Sequence, residues 1–173
     1  LAYSVNVVAV QVLIDVGFEP VIKLAKDMGI KSEVKATYSL ALGSWEVNLL
    51  ELTNAYATFA AQGKYIPAYG IKKVINQNGE VIYEGNFKSK QVLDKDSAAI
   101  VTWMLENVVK YGSGANAYLY DRPVAGKTGT SEEARDLWFI GYIPQVATGI
   151  WLGNDDNKPT WGTSSTAAYN WQL

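Results

Sequence analysis

A pair of strands joined by a tight turn constrains the fold of this chain most strongly. Residues 137–143 and 146–152 are rich in aromatic and β-branched side chains, and only Pro144-Gln145 separates them. Such runs around a short turn predict an antiparallel hairpin. A third strand is expected just upstream, at residues 124–131. The C-terminal part of the chain therefore predicts an antiparallel sheet.

Helix signals dominate the rest of the chain. The expected helices cover residues 7–14, 20–28, 45–62 and 97–111, and the last residues read as the first turns of another. The first is apolar on nearly every face, which indicates a buried helix, with a buried strand as the alternative. Together these elements predict one α+β domain over residues 1–173, with an antiparallel sheet flanked by helices.

Local signals set the expected boundaries of these elements. Ser44 is the predicted N-cap of the third helix, and Asp94 and Asp96 are the predicted caps of the fourth. Asn78-Gly79 lies between two short β-rich segments and predicts a second hairpin with a type I′ turn.

Composition excludes several classes of function. The 173 residues contain no His and no Cys, so Ser-His-Asp triads, thiol catalysis, disulfides and metal sites with either ligand cannot be built from them. Net charge is −2, and no basic run is present to bind nucleic acid. No cofactor is expected. Acyl transfer in this chain would need lysine, tyrosine or a carboxylate as its base.

The segment Lys127-Thr128-Gly129-Thr130 is the first candidate for binding. In a strand, Thr128 and Thr130 project to one side, and Gly129 allows a ligand to approach the backbone. The Lys127 ammonium adds a positive charge. This set suits a peptide-like ligand that carries a carboxylate. The alternative is an ordinary polar edge strand.

Two short motifs nearer the N-terminus contain serine. Ser4-Val5-Asn6 combines a hydroxyl that can relay a proton with an amide that can bind a peptide group, although the pair could also cap the following helix. Ser32 and Lys35 have the Ser-x-x-Lys spacing of a serine nucleophile and its base. Their charged surroundings do not desolvate the lysine, so a nucleophile is not expected there.

The remaining acidic and aromatic residues suggest structural roles. Asp136 and the pair Asp155-Asp156 are interpreted as polar turns rather than as a metal site, because the loop lacks the length and the distal glutamate of a calcium site. The tryptophans are interpreted as core or cleft-lining side chains. Five of the six tryptophans fall under this interpretation, namely Trp45, Trp103, Trp138, Trp151 and Trp161.

Taken in order, the motifs resemble the transpeptidase domain of the penicillin-binding proteins, and of class A members in particular. The matching segments are 4–6, 41–44, 54–60, 125–131, 136–142 and 151–155. The resemblance extends over almost the whole chain. It implies the fold shared by these transpeptidases and the serine β-lactamases, an acyl-enzyme mechanism, and stem peptides and β-lactams as ligands.

The resemblance also implies roles for individual residues. Ser4 would shuttle a proton between the nucleophile's lysine and Lys127, and Asn6 would bind the amide of the acyl side chain. Lys127 would set the electrostatics and, with Thr128 and Thr130, anchor a terminal carboxylate along the Gly129 backbone. The N–H of Thr130 would supply half of an oxyanion hole.

The family's Ser-x-x-Lys nucleophile should precede Ser4, and Ser32 follows it. We therefore expect residues 1–173 to be the C-terminal part of one transpeptidase domain, a fragment cut at both ends and inactive alone, whose nucleophile comes from a missing N-terminal segment. The resemblance further implies a glycosyltransferase domain, an upstream membrane anchor and a place on the extracytoplasmic face of the cell membrane. Open alternatives are a D,D-carboxypeptidase, a β-lactamase or a non-catalytic cell-wall scaffold.

Overall fold

Helices and strands alternate in groups along the chain. The structure is a computed structural model and describes all 173 residues. Its helices are α1 (Asn6–Val16), α2 (Phe18–Asp27), α3 (Leu49–Ala60), α4 (Lys95–Tyr111) and α5 (Ser164–Gln172). Its strands are β1 (Lys64–Tyr65), β2 (Lys73–Ile75), β3 (Val81–Glu84), β4 (Lys90–Gln91), β5 (Ala125–Thr130), β6 (Asp136–Ile143) and β7 (Val146–Gly153). Short 3-10 helices cover Tyr38–Leu42, Ala115–Ala117 and Glu132–Ala134.

The main sheet has three antiparallel strands in the order β5-β6-β7. The β6–β7 hairpin turns at Pro144-Gln145, because Ile143 pairs with Val146. In the other ladder, Lys127 pairs with Ile140 and Gly129 with Trp138. The predicted sheet, its strands and the α+β class are confirmed.

Two apolar clusters hold helices against this sheet. Phe139 is fully buried among the small residues of α5, together with Val109, Ala117 and Val124. Tyr142 and Ala125 pack with Leu105 and Val108 of α4, with α3 side chains around them. Because Phe139 and Tyr142 lie three positions apart on β6, they point to opposite faces of the sheet. The sheet therefore lies between α5 on one face and α3 and α4 on the other.

The first helix forms as predicted, but the prediction that it is buried is wrong. Only Leu13 of α1 is buried, whereas Val7 is 80% exposed and Val12 is 54% exposed. A helix that is apolar on every face is buried on every side only where other elements surround it. Here α1 packs on α2 and on the short helix Tyr38–Leu42.

Helix α3 begins four residues later than predicted. Its N-cap is Asn48, whose side-chain oxygen accepts a hydrogen bond from the Leu50 N–H at 2.8 Å. The predicted cap, Ser44, instead donates to the Ser39 carbonyl oxygen at 3.1 Å. The N-cap of α4 is Asp94, as predicted, and it accepts from the Ser97 N–H at 2.8 Å. Asp96 lies in the first turn of that helix.

The hairpin of β2 and β3 is present, but its turn is not the predicted type I′. That turn needs positive φ at both central residues, and Gly79 is left-handed (φ +85°) while Asn78 is not. The Gly79 N–H donates to the Asn76 carbonyl oxygen at 3.0 Å, and the register shifts between Val74 and Ile75. A turn followed by a left-handed glycine bulge accounts for this geometry.

None of the helices has the length and apolar composition needed to cross a lipid bilayer.

Candidate active site

Two distant motifs meet at strand β5. The Lys127 ammonium donates a hydrogen bond to the Ser4 hydroxyl and another to the Thr128 carbonyl oxygen, the latter at 3.0 Å. Ser4 and Lys127 lie 123 residues apart in sequence. The loop before α1 therefore folds back onto the Lys-Thr-Gly strand.

Backbone contacts fix the loop that carries Ser4. The Ser113 N–H donates to the Ala2 carbonyl oxygen at 3.0 Å, and the Ser4 N–H donates to the Leu1 carbonyl oxygen at 3.1 Å. A side chain at Gly112 would collide with the Ala2 carbonyl, so the glycine permits this close approach. Ser4 itself has a left-handed backbone (φ +49°), which costs a non-glycine residue about 1–2 kcal/mol. Strain of this kind is typical of functional sites.

A hydroxyl pair joins the end of α4 to β5. Ser113 Oγ and Thr128 Oγ1 lie 2.6 Å apart, and Thr128 is only 9% exposed. Ser113 thus contacts Thr128 through its side chain and Ala2 through its backbone. This residue links the strand that carries Lys127 to the loop that carries Ser4. No pattern in the sequence marks Ser113 for this role.

Burial changes the proton affinity of the central lysine. Lys127 is half-buried and forms no ion pair with a carboxylate. Desolvation therefore lowers the pKa of its ammonium, since nothing nearby compensates the charge. A lysine in this state gives up its proton more easily than one in water.

Two other predicted site residues, Asn6 and Thr130, take no part in the contact between Ser4 and Lys127. Asn6 begins α1, is exposed and forms no side-chain hydrogen bond, and Thr130 is exposed at the end of β5. Strand β5 is an edge strand that pairs only with β6, so its outer side is free for an extended ligand.

Gly129 and Thr128 also have structural explanations. A Cβ at Gly129 would lie 3.3 Å from the Trp138 Cβ on the paired strand, so packing alone favours a small residue there. The Thr128 hydroxyl is already bonded to Ser113, so only Thr130 presents its hydroxyl to solvent. The equal presentation of both threonines, expected from strand alternation, is not observed.

Ser32 and Lys35 do not form a nucleophile–base pair. The Ser32 hydroxyl donates to Glu51 Oε2 at 2.9 Å, and the backbone N–H groups of Lys31 and Ser32 donate to the same oxygen at 3.1 Å. Lys35 lies 5.3 Å from the centroid of the Trp45 ring and 3.8 Å from Glu33. Both residues thus have other partners, and neither forms a hydrogen bond with Lys127.

Asp136 is a structural anchor that the sequence interpretation underestimated. Its carboxylate accepts hydrogen bonds from the Ser131 hydroxyl at 2.8 Å and the Trp151 indole N–H at 2.9 Å. The Ser131 N–H also donates to the Asp136 carbonyl at 3.1 Å. These bonds brace the connection that follows Thr130. By contrast Trp161, predicted to be core or cleft-lining, is 89% exposed.

The fold and the motifs together define a class of protein. Comparison with known families shows which class it is. Residues 1–169 match the family described as penicillin binding protein transpeptidase domain, and the chain belongs to that family. The resemblance identified from the motifs is therefore confirmed.

Among related proteins, penicillin-binding protein 1A of Aquifex aeolicus is 43% identical over 158 residues, which cover 91% of this chain and 22% of that protein. Penicillin-binding protein 1B of Vibrio cholerae is 33% identical, covering 97% of this chain and 22% of that protein. The chain thus spans about a fifth of the length of these relatives. Their names agree with the class A assignment.

Solved structures show the same fold. Penicillin-binding protein 1A of Haemophilus influenzae superposes with a TM-score of 0.84 at 21% identity, covering 98% of this chain and 33% of that one. PonA1 of Mycobacterium tuberculosis, in complex with penicillin V, superposes with a TM-score of 0.74 at 25% identity. That match covers 84% of this chain and 45% of PonA1.

Proposed function

We propose that these residues form part of one serine D,D-transpeptidase domain that cross-links peptidoglycan stem peptides. The observation that carries the proposal is the hydrogen bond between Lys127 and Ser4, because it joins the Ser-x-Asn and Lys-Thr-Gly motifs in one place. Family membership supports the same assignment.

In this proposal Ser4 and Lys127 move a proton. The Lys127 ammonium donates to Ser4 Oγ, which leaves the hydroxyl hydrogen of Ser4 free to point elsewhere. Ser4 can give that hydrogen to a leaving amine while taking a replacement from Lys127. The lowered pKa of Lys127 favours this step, because a desolvated ammonium releases its proton readily.

The edge of β5 would hold the peptide. An extended ligand lying along Gly129 can bond to free backbone groups of the strand, and the exposed Thr130 hydroxyl and N–H can meet a carboxylate or a developing oxyanion. Thr128 would act mainly through its backbone, since Ser113 occupies its hydroxyl. Asn6 would bind an amide of the acyl group.

We infer that the nucleophile comes from a segment outside these 173 residues. Ser32 is bonded to Glu51, and Lys35 lies beside Trp45, so neither can act at Ser4. The relatives are several times longer than this chain, which leaves room for such a segment and for a membrane anchor. We propose an extracytoplasmic location for the whole protein on the same grounds.

A chimera tests the proposal. Residues 1–169 replace the matching segment of Aquifex aeolicus penicillin-binding protein 1A, and acylation by a fluorescent penicillin is followed in time. We expect labelling of the chimera and none of the isolated 173-residue chain. Ser4→Ala and Lys127→Ala should each slow acylation by about 100-fold, the usual loss for a proton-transfer group. The control is Lys72→Ala, an exposed lysine outside the site.

The outcomes separate the alternatives. Equal acylation rates in Lys127→Ala and Lys72→Ala would refute the catalytic assignment, and labelling of the isolated chain would refute the external nucleophile. With a stem-peptide donor and an amine acceptor, a transpeptidase gives the cross-linked product, whereas a D,D-carboxypeptidase gives only the hydrolysed one. An unreactive but folded chimera would favour a scaffold.

A further inference from the structure

A cavity of about 470 Å³ opens at the other end of β5 from Thr130. It lies between the end of α3, one side of α4 and the residues that end β6, and it includes Pro123 and Ala125. None of the predicted site residues lines it. Its volume is in the range that accommodates small organic ligands, about 300–1,000 Å³. We call it the α3/α4 cavity.

Apolar walls surround a small polar floor. Phe59, Ala60 and Pro144 are among the apolar lining residues. The hydroxyls of Thr102 and Tyr142 lie 2.8 Å apart, and Thr102 Oγ1 also donates to the Ala98 carbonyl oxygen at 2.8 Å. With the Thr102 proton directed at Ala98, the Tyr142 hydroxyl donates to Thr102 and keeps a lone pair for another donor.

Glu106 supplies an uncompensated negative charge to this lining. Its side chain is partly buried and forms neither an ion pair nor a hydrogen bond within the protein. Lys110 lies one helical turn further along α4 but does not pair with it. Burial raises the pKa of the Tyr142 hydroxyl to about 12, and the nearby Glu106 charge adds to the shift. Tyr142 is therefore neutral beside the carboxylate at physiological pH.

An exposed aromatic ring stands next to that charge. Trp103 lines the cavity from α4 and is 64% exposed, which is unusual for the largest apolar side chain. The face of an indole ring attracts cations. Asp96 and Lys95 also contribute to the lining, so two carboxylates stand against one ammonium.

We propose that the α3/α4 cavity binds an organic ammonium ion, a primary amine attached to an apolar body about the size of one aromatic ring. The ammonium would bond to Glu106 and the Tyr142 oxygen and contact the Trp103 ring, and the apolar body would pack on Phe59 and Pro144. A carboxylate, an indole face and a hydroxyl acceptor around an apolar cavity match these two parts of the ligand. This inference is independent of the proposed transpeptidase activity.

Three matched probes test the proposal on the 173-residue chain. They are phenethylamine, 2-phenylethanol and 3-phenylpropionate, which share a ring and differ in charge. Binding is followed by NMR through the indole N–H signal of Trp103, assigned by its loss in Trp103→Phe. We expect phenethylamine to shift this signal and to bind at least tenfold more tightly than either other probe. Glu106→Gln should weaken it at least tenfold, whereas Glu84→Gln, an exposed residue on β3, should not.

Each possible result decides the matter. Equal binding of the amine and the alcohol would overturn the assignment of a cation site, and so would an unchanged affinity in Glu106→Gln. The absence of any Trp103 shift at millimolar amine would overturn the cavity itself as a site. The comparison among the three probes needs only the unmodified chain, so it decides even if Glu106→Gln fails to fold.

Discussion

The hydrogen bond between Ser113 and Thr128 is expected to stabilise the site measurably. In Ser113→Ala, the Thr128 hydroxyl loses its only partner, at 2.6 Å, while remaining 9% exposed. An unpaired buried hydroxyl costs about 1–3 kcal/mol, and we expect about 1.5 kcal/mol here. Thr128→Val should cost about 1 kcal/mol, because the half-buried Ser113 hydroxyl can turn towards water.

A double-mutant cycle isolates the bond. The double variant leaves no buried hydroxyl unpaired, so it should cost about 1 kcal/mol less than the sum of the single variants. Urea unfolding at pH 7 measures these differences. With a slope of about 2 kcal/mol per molar urea, the Ser113→Ala midpoint should fall by about 0.75 M.

An exposed pair of the same chemistry provides the control. Thr37 Oγ1 and Ser39 Oγ lie 2.9 Å apart on the surface. The cycle between Thr37→Val and Ser39→Ala should give a coupling below about 0.3 kcal/mol, since water replaces the lost partner. Additive costs at Ser113 and Thr128, or equal coupling in both cycles, would refute the reasoning from burial.

Three further predictions concern a helix cap, two glycines of β5 and the hydrogen-bonded carboxylate of Glu51. Asn48→Ala should destabilise the chain by about 1 kcal/mol through loss of the α3 cap, while Ser44→Ala should cost less than about 0.5 kcal/mol; equal costs in urea unfolding would contradict the reassigned cap. Gly126→Ala should destabilise the chain by about 2–3 kcal/mol, because the new Cβ would lie 2.5 Å from the Phe139 ring. Gly129→Ala should destabilise it by less than about 1 kcal/mol. A reversed order of melting temperatures would show that β5 shifts instead. Burial opposes a lowered pKa at Glu51, but hydrogen bonds from Ser32 and Lys31 lower it overall. The folded state therefore releases the Glu51 proton more readily than the unfolded state. The stabilisation from the ionised Glu51 carboxylate is present above about pH 4.3 and is lost as pH falls through the folded pKa. The Glu51→Gln variant should be less stable than the unmodified chain at pH 7. Its free energy of unfolding should also change less between about pH 7 and 3.5.

Signals that act over a few residues predicted most of the fold. Strand pairing around Pro144-Gln145 depends on local alternation and a short turn, and Asp94 caps the helix that directly follows it. The predicted start of α3 was wrong because serine and asparagine are both good caps, and only tertiary packing selects Asn48. The prediction that α1 is buried was wrong because composition describes what a helix can bury, not what surrounds it.

The site was predictable only in part. The residue types at positions 4 and 127 indicated proton transfer, but their contact depends on a backbone path that no local pattern encodes. Ser113 and Asp136 act by positioning other groups, and a serine after a helix or an aspartate before a strand carries no sign of this. Glu106 and Trp103 share one side of α4, but only the fold shows a cavity beside them.

The return of the N-terminal loop to β5 has a consequence for the order of folding. Ser4 meets a partner 123 residues later in the chain, so closing this contact carries a large entropic cost. During synthesis the first motif emerges long before the strand that receives it. The helices and the β6–β7 hairpin need only neighbouring residues and can form early. The contact between Ser4 and Lys127 then forms at the end of folding, and a chain arrested before that step would keep its secondary structure but lack a working site.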